Sequence, residues 1–517
     1  MSSDTPSPTA QFADDDPNHH FRTDHLQENI GRRSARGGMV TLAAQLLKFL
    51  LSTAAAVVLA RLLTPEDYGL IGMVAIIVNF VGMFQYLGLS TATIKWSELD
   101  HRQVSTLFWV NMSLSAVIML ATFASGPVLA WFYHEPRLIG IAIGYGVMLF
   151  LTGLSIQHQA LLMRQMRFGV YAGIEVASMV IGLIAAIVAA VLGAGYWAIV
   201  LNQLVLWSVI VIGTWTACRW RPGWPGRNTG LRKMLSYGGN LTGYNFMHFF
   251  ARNLDNALIG KFWGAYQLGL YSRAYQLLLM PIGQINTPLW SVAVPTLSRL
   301  SDSPERYRAA YLKILEKIAM ITMPGVIFMC ATSDWLVLLL LGQQWSETAH
   351  IFRLLGVAAA IQPATSSALW LFFTQGRSRE MLNWGLFGSG IAVCSIFFGL
   401  PWGAKGVAFT YAISDVCISA PLMIWYVGRR GPVRSRDFYR TVAPSVCASL
   451  CSLAVLLALR PWLELVPRLV PRLSLAFLVM AVITVLVFSA LPAGRLAMRN
   501  LKEMLVMVFR KQRASIA

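Results

Sequence analysis

Charged residues are scarce in this chain. Only 13% of its 517 residues are Asp, Glu, Lys or Arg, whereas a soluble domain usually carries about 25%. Hydrophobic residues make up 56% of the sequence. Apolar stretches recur along it, each near the roughly 20 residues that a bilayer core requires. This combination excludes an ordinary soluble enzyme and predicts an all-α polytopic membrane protein.

Cysteine is also rare, and motifs that bind cofactors are missing. The six cysteines lie in or beside apolar stretches and form no Cys-x-x-Cys pair. They predict neither a metal site nor a disulfide framework. The sequence contains no Walker A loop and no nucleophile elbow. We therefore expect no cofactor, no bound metal and no catalytic residues, and the protein is predicted not to be an enzyme.

The basic residues are distributed unevenly between the two sides of the predicted membrane. About fourteen apolar stretches alternate with short connections. If the N terminus is cytoplasmic, most of the 42 lysines and arginines fall in inside connections. Cytoplasmic loops carry such an excess. The bias predicts that both termini are cytoplasmic, and it accounts for the net charge of +19 without nucleic acid.

The sequence resembles itself at offsets near 200 and 210 residues. Gly69-Leu70 matches Gly269-Leu270, and Gly193-Ala194 matches Gly403-Ala404. The matches predict two pseudo-symmetric six-helix bundles in parallel, plus two C-terminal helices. The predicted parts are a disordered cytoplasmic tail (1–36), an N-terminal bundle (37–218), a basic cytoplasmic linker (219–233), a C-terminal bundle (234–428), two additional helices (429–494) and a basic tail (495–517). That last tail is predicted either to lie on membrane lipids as an amphipathic helix or to be solvated.

A polar stripe interrupts the apolar segment from Leu235 to Phe262. Asn245, His248, Arg252 and Asp255 are spaced to fall on one narrow face of a helix. Ionisable groups at membrane depth are costly and usually face a bundle interior or a watery cavity. The stripe therefore predicts a polar pathway, as in a transporter. At an offset of 200, Lys48 takes the place of His248, so the first helix carries a weaker copy.

Two segments resemble Wzx-type polysaccharide transporters, a branch of the multidrug/oligosaccharidyl-lipid/polysaccharide exporter superfamily. They are Ala60–Gly69, which reads ARLLTPEDYG, and Ala251–Gln276, which begins ARNLDN and ends GLYSRAYQ. The resemblance implies a flippase that carries an undecaprenyl-diphosphate-linked oligosaccharide across the bacterial inner membrane. It also implies helical bundles around a cationic cavity, coupling to an ion gradient, and a polymerase or export machinery that receives the product.

Charged and polar residues inside the apolar stretches are the candidate binding residues. The candidates for substrate binding are Arg252, Lys48, Asn245, His248 and Arg273. The candidates for binding a coupling proton or sodium ion are Asp255, Glu175 and Asp415. Structural roles remain open for them: Arg252 can pair with Asp255, and Lys48 can reach the membrane interface. Arg273 is predicted to lie at the outer start of the eighth helix.

Two other functions stay open on the sequence. An ion-coupled multidrug antiporter of the same superfamily would usually have fewer helices and a more acidic cavity. A membrane polysaccharide polymerase or ligase, which is an enzyme, would need a large outside loop with catalytic acids. The outside connections predicted here are all short.

Overall fold

A computed structural model describes residues 30–85, 93, 100–226, 231–492 and 494–499. The side chains at 30–40, 42, 231–248, 250–252, 285 and 287 lie outside this description. The described residues form helices and no strand, which confirms the predicted all-α class. The helices are α1 (Ile30–Leu62), α2 (Pro65–Gln85), α3 (His101–Tyr133), α4 (Arg137–Arg164), α5 (Phe168–Val191), α6 (Trp197–Cys218), α7 (Leu231–Ser298), α8 (Pro304–Ala331), α9 (Ser333–Leu340), α10 (Thr348–Thr374), α11 (Ser378–Gly399), α12 (Gly403–Ser414), α13 (Ala420–Gly428), α14 (Ser435–Glu464) and α15 (Leu469–Ala490).

The chain divides into two compact units, Met1–Phe250 and Ala251–Ala517. The division falls inside α7. The predicted boundaries of the two bundles, the linker and the additional helices stay predictions. Most of the predicted tails at 1–36 and 495–517 lies outside the described residues.

Membrane-spanning helices are recognised by length and apolar composition. Among the described residues, 11 helices meet both conditions, or up to 12 if the bent pair Asn253–Gln284 and Pro288–Ser298 is one span. The predicted number of fourteen is therefore not confirmed. One of the 11, Ser378–Gly428, includes both α11 and α12. These two helices fold back on each other, since the hydroxyl of Thr410 donates to the carbonyl of Ser395 at 2.7 Å.

The outer surfaces of these helices are apolar, whereas their contacts use small residues. On α5, Ile184, Val188 and Val191 are 57%, 54% and 69% exposed. Such surfaces suit lipid tails and would promote association in water. Where α4 meets α3, a methyl group added at Gly153 would lie 2.0 Å from the hydroxyl of Ser115. Small residues of this kind let membrane helices approach closely.

One corner of the fold occurs twice, 210 residues apart. Arg167 follows α4, and its Nη1 donates to the carbonyl of Ala217 at the end of α6 at 2.9 Å. Arg377 follows α10, and its Nη1 donates to the carbonyl of Val427 at the end of α13 at 3.2 Å. The predicted repeat therefore extends to side-chain contacts that the matched glycines did not reveal.

Backbone conformation repeats at the same offset. Met166 and Gly376, which precede the two arginines, have φ of 55° and 68°. Gly193, before α6, and Gly403, the first residue of α12, have φ of 81° and 70°. A left-handed residue ends a helix and redirects the chain. The chain therefore turns in corresponding ways on both sides of α5 and on both sides of α11.

Candidate functional site

A left-handed glycine breaks α7 and brings its two arms together. Gly264 has φ of 78° and ψ of −179°, outside the helical region. Across this break, the hydroxyl of Tyr271 donates to Oδ2 of Asp255 at 2.8 Å. Oδ1 of the same carboxylate accepts the backbone N–H of Asn256 at 2.8 Å. The buried tyrosine thus holds Asp255 at a fixed place in the second unit.

The tyrosine partner of Asp255 was not found from the sequence. The sequence offered Arg252 as the partner, but the side chains of Arg252, Asn245 and His248 lie outside the described residues. Because the eighth helix is predicted to start at about Arg273, the sequence places Tyr271 in the connection before it. Gly264 was the available signal for this contact. A turn at that glycine brings Asp255, nine residues before it, close to Tyr271, seven residues after it.

Arg273 is not at the outer start of its helix, and this part of the prediction was wrong. The helix resumes directly after Gly264. At about 1.5 Å per residue, Arg273 lies roughly 13 Å along the axis from that turn. The connection was predicted too long because one left-handed glycine suffices to reverse the chain. The half-buried Arg273 therefore lies further from the turn at Gly264 than predicted.

Two predicted site residues form an ion pair in the first unit. Nζ of Lys48 on α1 lies 2.8 Å from Oε2 of Glu175 on α5. Their side chains are 25% and 24% exposed. Lys48 had been predicted to bind the substrate anion and Glu175 to bind a coupling cation. The structure brings these two candidates together, so each charge neutralises the other.

Asp415 begins an irregular turn between α12 and α13. Residues Asp415–Ser419 form a π-helical turn, a feature that is frequent at functional sites. Within the described part of the chain, no hydrogen bond or ion pair reaches the half-buried Asp415 carboxylate. A carboxylate in this position retains the capacity to take up a proton or a small cation. Its role in ion coupling stays a prediction.

A model of the family described as polysaccharide biosynthesis protein matches residues 58–350, more than half of the chain. The chain belongs to this polysaccharide biosynthesis protein family. The match confirms the resemblance that the two sequence segments indicated. It includes Glu175, Asp255 and Arg273, whereas Lys48 and Asp415 lie outside it.

Several relatives of this family member are named for biosynthesis or for biosynthesis transport. It is 26% identical to the teichuronic acid biosynthesis protein TuaB of Bacillus subtilis (strain 168), over 64% of this chain and 69% of that protein. The lipopolysaccharide biosynthesis protein WzxC of Escherichia coli (strain K12) is 21% identical over 69% and 74% of the two chains. The succinoglycan biosynthesis transport protein ExoT of Rhizobium meliloti (strain 1021) is 23% identical over 80% and 84%.

Solved structures share the fold of this polysaccharide biosynthesis protein. The lipid II flippase MurJ, in an inward closed conformation, matches with a TM-score of 0.64 and 12% identity over 88% of this chain and 99% of that one. An inward-facing multidrug resistance MATE family transporter of the MOP superfamily matches with a TM-score of 0.56 and 17% identity, over 76% and 95%. Both confirm the fold of a polytopic membrane transporter.

A cluster of rings in the first unit was not found from the sequence. Nε1 of Trp220 donates to Nδ1 of His101 at 3.2 Å. The carbonyl of Trp220 lies 3.3 Å from Nε2 of the fully buried His158. The backbone N–H of Gly223 donates to the hydroxyl of Ser105 at 2.9 Å. The first residues of the predicted linker are thus bound to α3 and α4.

Proposed function

We propose that this protein is a flippase for lipid-linked oligosaccharides and not an enzyme. It moves repeat units linked to undecaprenyl diphosphate from the inner to the outer leaflet of a bacterial inner membrane, by alternating access. The units then enter exopolysaccharide or lipopolysaccharide synthesis through a polymerase or export machinery. Membership of the polysaccharide biosynthesis protein family carries this proposal.

The relatives supply the proposed substrate class. WzxC is named for lipopolysaccharide biosynthesis and ExoT for succinoglycan transport. MurJ, which shares the fold, is named a lipid II flippase. We accordingly place the chain in the inner membrane with both termini in the cytoplasm, the orientation that its basic connections favour.

We assign the substrate anion to Arg252. Arginine stays charged at physiological pH and holds phosphate bidentately. Lys48, His248 and Arg273 are the further proposed contacts to the diphosphate or to an acidic sugar. The side-chain amide of Asn245 suits sugar hydroxyls.

We assign ion coupling to Asp415, with Asp255 and Glu175 as the other candidates. Asp415 is favoured because no described side chain neutralises its carboxylate. Asp255 is held by Tyr271, and Glu175 is held by Lys48. A proton or a sodium ion at Asp415 would supply the missing countercharge.

The substrate assignment is tested by complementation in a host strain deleted for this gene. The deletion is expected to abolish surface polysaccharide and to leave repeat units on the cytoplasmic leaflet, and the wild-type protein restores export. Arg252→Ala is expected to insert into the membrane without restoring export. Arg430→Ala, at an exposed arginine after α13, is the matched control and restores it. Full export by Arg252→Ala would remove Arg252 from the site, and normal export in the deletion strain would contradict the proposed function.

Ion coupling is tested in proteoliposomes with an imposed proton or sodium gradient. Asp415→Asn is expected to abolish the stimulation of flipping by the gradient. Asp302→Asn, at an exposed loop position after α7, is expected to keep it. Stimulation that survives in Asp415→Asn excludes that carboxylate as the coupling site. Gradient-driven drug efflux in place of flipping would favour the multidrug antiporter.

A further inference from the structure

The ion pair of Lys48 and Glu175 lies in spans that carry almost no other charge. Along the spans Ala43–Leu62, Phe168–Val191 and Trp197–Cys218, the only other charged residue is Arg61, at the last turn of α1. The two groups are 2.8 Å apart. Each therefore depends on the other for its countercharge.

The pair lies at one depth on two helices that are expected to begin in the cytoplasm. Glu175 is about 10 Å along the axis from Phe168, where α5 begins, and Lys48 of α1 contacts it at that depth. A bilayer core is roughly 30 Å thick. The ammonium thus lies about a third of the way in, where a diphosphate leaving the inner leaflet would meet its first cation.

Binding an anion at Lys48 has a consequence for Glu175. A phosphate that takes the ammonium leaves the carboxylate without its cation at membrane depth, where an unpaired charge is costly. The carboxylate regains neutrality if it takes up a proton or a monovalent cation. Anion binding and cation uptake at this pair are therefore coupled, and the coupling is reciprocal.

We propose that Lys48 and Glu175 form one exchange site, in which a substrate phosphate binds Lys48 as Glu175 takes up a proton or monovalent cation. This inference rests on the proposed function, and it joins a proposed substrate contact, Lys48, with Glu175, a candidate ion site besides Asp415, in one step. Loss of the proton or cation restores the carboxylate, which competes for the ammonium and releases the phosphate. No bond is made or broken beyond the transfer of that proton or ion.

The other ionisable groups near α5 have partners elsewhere. α5 packs against α1, α4 and α6. On α4, Arg164 donates to the carbonyl of Thr93 at 3.1 Å, and His158 faces the carbonyl of Trp220. On α5 itself, the hydroxyl of Tyr171 donates to Oε1 of Gln159 at 3.0 Å. Among the described side chains, the remaining titratable groups are the buried Tyr145 on α4 and, near the helix ends, Arg61, Arg137, Tyr196 and Cys218. A pH effect on anion binding is therefore assigned to Glu175.

The test uses the purified full-length protein and farnesyl diphosphate as the probe, with binding measured by calorimetry. Wild-type affinity is expected to rise at least tenfold as pH falls, with about one proton taken up for each probe bound. If sodium is the cation, affinity rises instead with NaCl at constant pH, against choline chloride at equal ionic strength. Glu175→Gln is expected to bind tightly and without either dependence. Lys48→Gln is expected to lose at least tenfold in affinity under all conditions.

If the Lys48–Glu175 ion pair only stabilises the packing of α1 against α5, the binding measurements give different results. Equal pH and sodium dependence in wild type and Glu175→Gln overturns the exchange site, as does unchanged binding by Lys48→Gln. If a single variant fails to fold, the double variant Lys48→Gln/Glu175→Gln keeps a neutral pair, and probe binding by it at wild-type strength also overturns the proposal. Failure of the wild type to restore export is a failure of the proposed function, whereas restored export with no role for Glu175 in binding is a failure of this inference alone.

Discussion

Arg167 and Arg377 are equivalent residues, since each guanidinium donates to a backbone carbonyl 50 residues further along the chain. Their surroundings differ. Arg377 also pairs with Glu380 at 2.6 Å and has a side chain only 11% exposed. The hydrogen bond of Arg167 is exposed. The contact of Arg377 is therefore expected to contribute more to stability than the contact of Arg167.

This inequality predicts unequal effects of the same substitution. Arg377→Ala is expected to lower the free energy of unfolding by about 2 kcal/mol, because it removes hydrogen bonds from a charged donor in a shielded place. Arg167→Ala is expected to lower it by about 0.5–1 kcal/mol. Denaturant titrations of the purified proteins in detergent, followed by tryptophan fluorescence, measure both. Equal losses of unfolding free energy would mean that the burial and ion pair of Arg377 add nothing to its hydrogen bond.

Two glycines on neighbouring helices are expected to respond in opposite directions to the same change. Gly153→Ala sets a methyl group 2.0 Å from the hydroxyl of Ser115, which accepts a hydrogen bond from Gln85. Overpacking of this kind costs about 1–3 kcal/mol. Gly173→Ala on α5 meets nothing within 4 Å and is expected to stabilise by about 0.5–1 kcal/mol. Melting temperatures in detergent should therefore move apart, and a rise for both variants would contradict the close α3–α4 contact.

The link between Arg137 and Glu135 predicts a pH-dependent contribution to stability. The hydrogen bond from Arg137 lowers the pKa of Glu135 below its usual 4.5. A lowered carboxyl pKa stabilises the fold above pH 4.5, and that contribution is lost as pH falls through the lowered value. Because the pair is partly exposed, it is expected to be worth about 0.2–1 kcal/mol.

Arg137→Gln is accordingly expected to be slightly less stable than wild type at pH 7. The difference should shrink below pH 4.5 and in high salt. Glu305→Gln, at the first turn of α8, serves as a control for the loss of one charge. A gap between Arg137→Gln and wild type that stays constant down to the lowest pH would show that Glu135 does not depend on this arginine.

Tyr271→Phe is expected to destabilise the second unit while leaving its apolar packing intact. The substitution removes the donor to Asp255, so a half-buried carboxylate loses one of its hydrogen bonds, at about 1–3 kcal/mol. Tyr266→Phe is the matched control, because its hydroxyl makes only an exposed contact with Glu347 at 3.3 Å. Unfolding measurements that rank the two variants equally would refute the structural role of the Asp255–Tyr271 contact.

The fold was largely predictable because hydrophobic length and charge asymmetry are local properties of the sequence. The all-α class and the family followed from them and from two motifs. The number of spans is not confirmed, because 11, or up to 12, helices among the described residues are long and apolar enough, and Ser378–Gly428 counts as one of them although it holds two antiparallel helices. The start of the arm that holds Arg273 was missed because a single residue, Gly264, makes the turn.

The contacts between side chains were harder to predict than the locations of candidate residues along the sequence. Lys48 and Glu175 were each identified from the sequence, but 127 residues separate them, and nothing local indicates that they touch. The duplicated arginines, Arg167 and Arg377, lie in connections where basic residues were attributed to membrane topology. Their hydrogen bonds to helix ends depend on tertiary packing. Sequence periodicity cannot supply such information.

The hydrogen bonds of Trp220 and Gly223 to the first unit predict where the coding sequence can be divided into two genes. Residues 219–226 follow α6 in the chain, yet their hydrogen bonds join them to α3 and α4. A split directly after Cys218 would strip His101 and Ser105 of their partners in the first fragment. A split after Gly226 keeps those partners on one polypeptide. Co-expressed fragments divided at the later point are therefore the ones expected to reassemble.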